Sequence, residues 1–98
     1  MTDDDLRRLP GGDLVATGLA DLARGAETVE SLLVSIGATQ LRLLGFATEN
    51  AFADPEHRLY ERLRAEDEDG AHASYNALVE RLFSFEQAAA HAGRWNAA

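Results

Sequence analysis

Two segments of this sequence, residues 28–44 and 71–92, carry apolar side chains at the spacing of an α-helix. In the first segment Val29, Leu32, Leu33 and Ile36 recur at intervals of three and four residues. Such intervals place side chains on one face of a helix, whereas a strand would alternate them between two faces. The β-branched content of residues 29–36 would also allow a strand, but the helical pattern is the clearer one. We therefore predict two amphipathic helices that enclose most of one core.

A helical wheel with 100° per residue assigns an inward face to each segment. In residues 28–44 this face consists of Val29, Leu32, Leu33, Ile36, Gly37, Leu43 and Leu44, with Val34 and Leu41 beside it. In residues 71–92 it consists of Tyr75, Leu78, Val79, Leu82, Phe83, Phe85, Ala89 and Ala90. We expect these two helices to pack against each other.

Capping residues and glycines mark where the helices begin and end. Thr28 is a suitable N-cap for the first of the two long segments, Gly37 is a point where it can break, and Gly45 is its expected end. A further helix is expected from Asp13 to about Gly25, with Asp21 on its polar half. Asp54-Pro55 starts another with a thin apolar face made by Leu59, Tyr60 and Leu63, and residues 46–53 form a loop.

These elements predict an all-α fold, a small four-helix, bundle-like domain with a short N-terminal helical turn. Residues 1–12 form the helical turn, which Thr2 caps, followed by a Pro-Gly-Gly linker. Residues 13–93 form a single helical domain that ends at Gly93, and residues 94–98 form a C-terminal tail. The first and second helices of the domain have broad apolar faces, which the thin third helix covers only in part. We therefore expect surplus apolar surface for a protein partner or for a homodimer.

The charge balance excludes some partners and predicts a habitat. Nine basic residues against seventeen acidic ones give a formal charge of −8, which makes nucleic acid an unlikely partner because its phosphates are repelled. All nine basic residues are arginine. An acidic surface without lysine suits concentrated salt, where screening removes self-repulsion, and predicts a halophilic protein. The alternative is an ordinary acidic protein whose arginine reflects codon bias.

The chain has no cysteine, which excludes disulfides, cysteine nucleophiles and thiolate metal sites. No apolar run approaches the ~20 residues of a membrane span, and the acidic start of the chain is unlike a signal peptide, so we expect a cytoplasmic protein without membrane contact. The glycines do not form a nucleotide-binding motif, and we expect no cofactor.

A pattern D-x-x-H-x-x-Y-x-x-L occurs twice, from Asp54 to Leu63 and from Asp69 to Leu78. A functional interpretation makes it a pair of sites in which His57 and His72, near helix N-termini, bind a metal or accept a proton, with Tyr75 nearby. The structural interpretation, which we favour, is that the two aspartates are N-caps and that the repeat is a coincidence. His57 is then turned towards solvent.

Glu86 is the most unusual polar residue, because it lies in the centre of the apolar face of residues 71–92. A carboxylate in such a place is costly unless it is paired or hydrogen-bonded. Gln40 holds a similar place in residues 28–44, so the amide and the carboxyl group are expected to satisfy each other if the helices pack face to face. The alternative is a raised-pKa acid for general acid–base chemistry.

The arginines Arg58, Arg62 and Arg64 lie among glutamates, which favours ordinary surface ion pairs. No catalytic constellation is evident. We therefore expect a non-enzymatic protein–protein interaction or regulatory module. The alternative is a small helical hydrolase or metal-dependent enzyme that uses Glu86 with His57, His72 or Tyr75.

Overall fold

The computed structural model describes residues 3–97, with side chains described for residues 4–92. This part of the chain contains the helices α1 Asp3–Arg8, α2 Gly12–Ala23, α3 Val29–Ile36, α4 Ala38–Leu43, α5 Pro55–Glu66 and α6 Ala71–Ala97. No strand occurs among these residues, and the prediction of an all-α domain is confirmed. The predicted cap Thr2 lies outside the described residues.

The start of α3 is fixed by hydrogen bonds that the sequence predicts at Thr28. Its hydroxyl accepts a hydrogen bond from the backbone N–H of Ser31, and the Ser31 hydroxyl accepts one from the backbone N–H of Thr28. This reciprocal capping box satisfies two backbone donors that the helix itself leaves unpaired. Thr28 is therefore confirmed as the N-cap.

The segment 28–44 breaks at Gly37, and the break changes which side of α4 faces the core. In an uninterrupted helix Leu43 would lie on the same face as Ile36, as the sequence analysis assumed. Because α4 starts a new helix after Gly37, Leu41 is fully buried and Leu43 is 77% exposed. The prediction that Leu43 faces inward is therefore wrong, and Leu41, expected at the edge of the face, belongs to the core.

Hydrogen bonds from the following loop hold this corner in place. The Thr48 hydroxyl, which is completely buried, donates to the carbonyl of Ala38, and Arg42 donates to the carbonyl of Thr48. The Ser35 hydroxyl accepts a hydrogen bond from the backbone N–H of Phe52. Residues 46–53 are thus a loop, as predicted, but one tied to both α3 and α4.

The closest helix pair is α2 and α3, which touch at Gly18. A Cβ atom at this position would lie 2.7 Å from Cγ1 of Val34 and would also collide with the carbonyl oxygen of Glu30. Only glycine allows this approach. The apolar faces of α2 and α3, which the sequence analysis expected to leave surplus surface for a partner, cover each other here.

Asp21, on α2, was predicted on the polar half of its helix, but it is buried and only 8% exposed. Arg24 donates to its Oδ1 atom at 2.8 Å, and the Thr28 hydroxyl donates to its Oδ2 atom at 2.8 Å. These hydrogen bonds hold the pKa of Asp21 below its ordinary value. The carboxylate therefore links the end of α2 to the cap of α3.

The other two faces of the core are formed by α5 and α6. Leu59 and Leu63 of α5 are buried against α3, as the spacing predicts. In α6, Phe85 is fully buried and its ring lies 5.7 Å from that of Phe46 in the loop.

The 27 residues of α6 span about 40 Å. The helix continues past Gly93, where the sequence predicted its end. No helix within residues 3–97 combines the length and hydropathy needed to cross a membrane.

Candidate functional site

Glu86 lies on α6 opposite the break between α3 and α4. Its Oε2 atom is buried and has no hydrogen-bond partner among the described residues. This oxygen lies close to Gly37, since a Cβ built on that glycine would lie 2.7 Å from Oε2 and 3.1 Å from a methyl group of Leu82. Burial raises the pKa of Glu86 above its ordinary value. Glu86 is therefore an unusual polar group, as its place on the apolar face of α6 predicts.

The predicted hydrogen bond between Glu86 and Gln40 is not formed, although both side chains line one groove. This groove has a volume of about 520 Å³ and lies between α4 and α6. Its lining consists of Gln40, Phe83, Glu86, Gln87, Ala90 and His91. The helices that carry Gln40 and Glu86 thus approach each other as predicted, but the amide does not satisfy the buried carboxylate oxygen.

A large apolar side chain, Phe83, stands exposed at this groove, and a second, Leu43, is exposed on α4, the helix that supplies Gln40. Phe83, which the sequence analysis placed on the inward face of α6, is 59% exposed, and that prediction is wrong. The buried residues Leu82, Phe85 and Ala89 define the inward side of α6, and Phe83 lies on the far side of that helix. Leu43 follows the groove residue Gln40 by three positions, about one helical turn. We call the groove residues together with Leu43 the α4–α6 surface.

The histidines singled out from the sequence lie elsewhere. His57 lines a different groove, between α5 and the α2–α3 turn, with Arg58 and Arg62 among its neighbours. His72 is exposed near the start of α6, where its Nε2 atom is 3.3 Å from the side-chain amide of Asn76. The histidine at the Glu86 groove is His91. The spacing of Phe83, Gln87, Ala90 and His91 on one side of α6 was a signal that could have identified it.

The repeated D-x-x-H-x-x-Y-x-x-L pattern brings its tyrosines together. The rings of Tyr60 and Tyr75 meet edge to face, with 5.8 Å between their centres, and join α5 to α6. Burial, with a smaller contribution from the carboxylate of Glu56, raises the pKa of Tyr75. This contact packs two helices and does not include either histidine of the pattern.

The aspartates of the pattern were expected to be N-caps, and this expectation is not met at α5. Asp54 precedes α5 as predicted, but its side chain makes no capping hydrogen bond and its backbone is left-handed, with φ 53° and ψ 47°. Aspartate tolerates this conformation better than most residues. At α6 the carbonyl of Gly70, one residue after Asp69, accepts the first hydrogen bond of the helix, from Ser74. The start of α5 thus depends on Pro55 rather than on a side-chain cap.

The arginines of α5 form ion pairs, as expected, although their partners are partly different. Arg58 and Arg62 both bind Glu27 in the α2–α3 turn, at 3.0 and 3.4 Å, and Arg62 also donates to the backbone carbonyl of Glu27. Arg64 pairs with Glu61 and Glu68 along its own helix. The Glu27 pairs tie α5 to the turn before α3, which is a structural role.

The described side chains contain no group of three or more histidine, aspartate or glutamate residues arranged to hold a metal ion. Comparison of the chain with protein-family models, with curated proteins and with solved structures finds no match.

Proposed function

We propose that this chain is a cytoplasmic, non-enzymatic protein–protein interaction module and that its α4–α6 surface binds another polypeptide. The observation that supports this proposal is the exposure of Phe83, at 59%, in the groove between α4 and α6, together with the exposure of Leu43, at 77%, on α4. Covering a large apolar side chain is worth about 1.5–3 kcal/mol. Two such side chains beside a groove therefore provide the apolar centre of an interface, and the amides around them provide hydrogen bonds at its rim.

The alternative from the sequence, a hydrolase or metal-dependent enzyme, receives less support from the positions of its residues. Such a site would join Glu86 to His57, His72 or Tyr75. The groove that holds Glu86 is lined by His91, whereas His57 lines the groove on α5 and Tyr75 packs against Tyr60. The buried oxygen of Glu86 faces Gly37 and Leu82, which offer it no proton donor.

The interaction proposal is tested by photocrosslinking inside cells that express the protein naturally. A benzophenone amino acid is placed at Phe83 and, as a matched control, at Ala73, which is also exposed and lies on the same helix. We expect a discrete adduct at position 83, identifiable by mass spectrometry, and none at position 73. An excess of wild-type protein should suppress the adduct, whereas an excess of Phe83→Asp should not. Equal adducts at both positions would contradict the proposal.

We also propose that the protein is adapted to high salt. Its charge of −8 and the lack of lysine support this. At molar salt the Debye length falls to about 3 Å, so repulsion among surface carboxylates is removed. The helical circular dichroism signal should therefore strengthen between 0.1 and about 3 M KCl. A signal that is already complete in dilute buffer would refute the adaptation.

A further inference from the structure

We propose, on the basis of the interaction function above, that the occupant of the α4–α6 surface is a second copy of this chain, bound through antiparallel α6 helices about a two-fold axis beside Gln87. Phe83, Gln87 and Ala90 are spaced by four and three residues and form one stripe along α6. Gln87 is exposed, Ala90 is half-buried and Phe83 is largely exposed. This stripe is therefore accessible to a partner helix.

The stripe is complementary to the same stripe of a second copy that runs in the opposite direction. In a two-fold interface each contact occurs twice, with the roles of the two copies exchanged. An axis beside Gln87 places the large Phe83 ring of one copy opposite the small Ala90 of the other. The same axis brings the two Gln87 side chains together, and each amide can both donate and accept a hydrogen bond. A large residue opposite a small one is the arrangement by which packed helices interdigitate.

The exposed acidic residue beside the stripe is kept apart from its counterpart in this arrangement. Glu80 lies seven residues before Gln87, so an axis beside Gln87 places the two Glu80 side chains about 20 Å apart along the helix direction. These two carboxylates therefore do not repel each other at short range.

The position of the net charge favours a second copy over a cationic partner. Among the side chains that the structure describes, two ionisable ones line the groove, Glu86 and His91. The dense acidic runs, Asp3 to Asp5 and Glu66 to Asp69, lie on α1 and on the α5–α6 connection. A cationic partner would be drawn to those runs, whereas the α4–α6 surface is suited to an apolar, amide-rich partner such as itself.

The area that a dimer would need is a modest share of the surface of this chain. A stable interface buries about 800 Å² per partner, which is close to one-seventh of the chain's 5932 Å². The half of α6 that follows Val79 is more than 20 Å long.

The natural lack of cysteine allows a direct test with single-cysteine variants of the full chain. Gln87→Cys places a thiol beside the proposed axis, where two helices in contact permit a disulfide. Ala73→Cys is the matched control, since it lies about 20 Å along α6 from Gln87 and the two copies of it would be about 40 Å apart. Under mild oxidation in 1 M KCl we expect a covalent dimer from Gln87→Cys and little from Ala73→Cys. Equal cross-linking of both would overturn the proposed pairing.

Sedimentation velocity supplies the second measurement. Wild-type protein should be dimeric at high concentration, and its association should strengthen with salt because two acidic chains repel each other. Phe83→Asp, at an exposed position that folding does not need, should weaken association about tenfold or more. A wild-type monomer at all salt and protein concentrations would overturn the dimer. Under that outcome, a cellular adduct at position 83 with a different protein would leave the interaction function intact, whereas no adduct would refute both.

Discussion

Replacement of Glu86 by leucine is expected to stabilise the fold. The Oε2 atom of this carboxylate is buried without a hydrogen-bond partner against Gly37 and Leu82. A leucine methyl group fits these neighbours better than a charged oxygen does, because it loses no hydration when it is buried. Because Glu86 is only half-buried, the remainder of its side chain contributes little to the core, and its replacement by leucine removes little packing.

The expected gain in the free energy of unfolding follows from the burial of this one oxygen without a hydrogen bond. An unsatisfied buried polar atom costs about 1–3 kcal/mol. Because only one of the two carboxylate oxygens is fully buried, we take the lower end, about 1 kcal/mol. For a domain of this length such a change raises Tm by about 4–8 °C. The measurement is thermal unfolding of wild type and Glu86→Leu at low micromolar concentration, where association is minimal.

The gain should depend on pH in a defined direction. Burial raises the pKa of Glu86, so between its unfolded and folded pKa values the folded state binds more protons than the unfolded state. Stability of the wild type therefore falls as pH rises through this interval. Above the pKa of Glu86 in the folded state, the buried carboxylate is ionised and the stability lost to its charge is at its maximum. Below the pKa of Glu86 in the unfolded state, this loss is absent. The difference between Glu86→Leu and wild type should thus be larger at pH 7 than at pH 4.

Glu80→Leu is the matched control, since Glu80 is an exposed carboxylate on the same helix. Its effect on the free energy of unfolding should stay within about 0.5 kcal/mol. A loss of stability in Glu86→Leu, or an equal gain at pH 4 and pH 7, would refute the view that an uncompensated carboxylate lies in this groove.

Four further substitutions test the packing and the hydrogen bonds of the fold. Gly18→Ala should destabilise the fold by about 1–3 kcal/mol, because the new Cβ meets the Glu30 backbone. Gly37→Ala should cost less, since its Cβ meets the movable end of the Glu86 side chain. Chemical denaturation measures both free energies of unfolding, and equal costs would contradict the close α2–α3 contact. Asp21→Asn should lower Tm at pH 7, and the difference from wild type should shrink as the pH falls below the ordinary pKa of 3.8. The reason is that the pKa of the wild-type carboxylate is lowered in the folded state, so its stabilising contribution is lost as pH falls towards that value. A pH-independent difference would argue against the Arg24 and Thr28 hydrogen bonds. Phe85→Ala should cost about 3–5 kcal/mol, and a denaturation midpoint close to that of wild type would show that its ring is not in the core.

Helix positions were predictable from the sequence because local chemistry determines them. Thr28 caps α3 with hydrogen bonds to a residue three positions away, and Pro55 starts α5 through its fixed φ angle. Gly37 and Gly45 separate helices where they were expected to do so. None of these features requires knowledge of which other helix lies nearby.

Which side of a helix faces the core was less predictable because it depends on distant contacts. The break at Gly37 changed the orientation of α4, so that Leu41 replaced Leu43 in the core. Phe83 is exposed because no described helix covers its side of α6. Asp21 is buried because Arg24 and Thr28 satisfy its oxygens, an arrangement that a helical wheel does not contain.

The candidate site was partly predictable for the same reasons. A wheel was sufficient to identify Glu86 and Gln40 as polar residues on two apolar faces, and these faces do meet at one groove. His91 was overlooked because its role depends on how α4 approaches the second half of α6. The exposed pair Leu43 and Phe83 was overlooked because both residues look like core residues in the sequence.

The central claim, that the α4–α6 surface binds a second copy of the chain, is tested most directly by hydrogen exchange measured over a range of protein concentrations in 1 M KCl. We predict that amide exchange slows with rising concentration in α4 and in the half of α6 after Val79, while α2 is unaffected. Exchange in these segments that does not change with concentration, or that slows equally in α2, would contradict the claim.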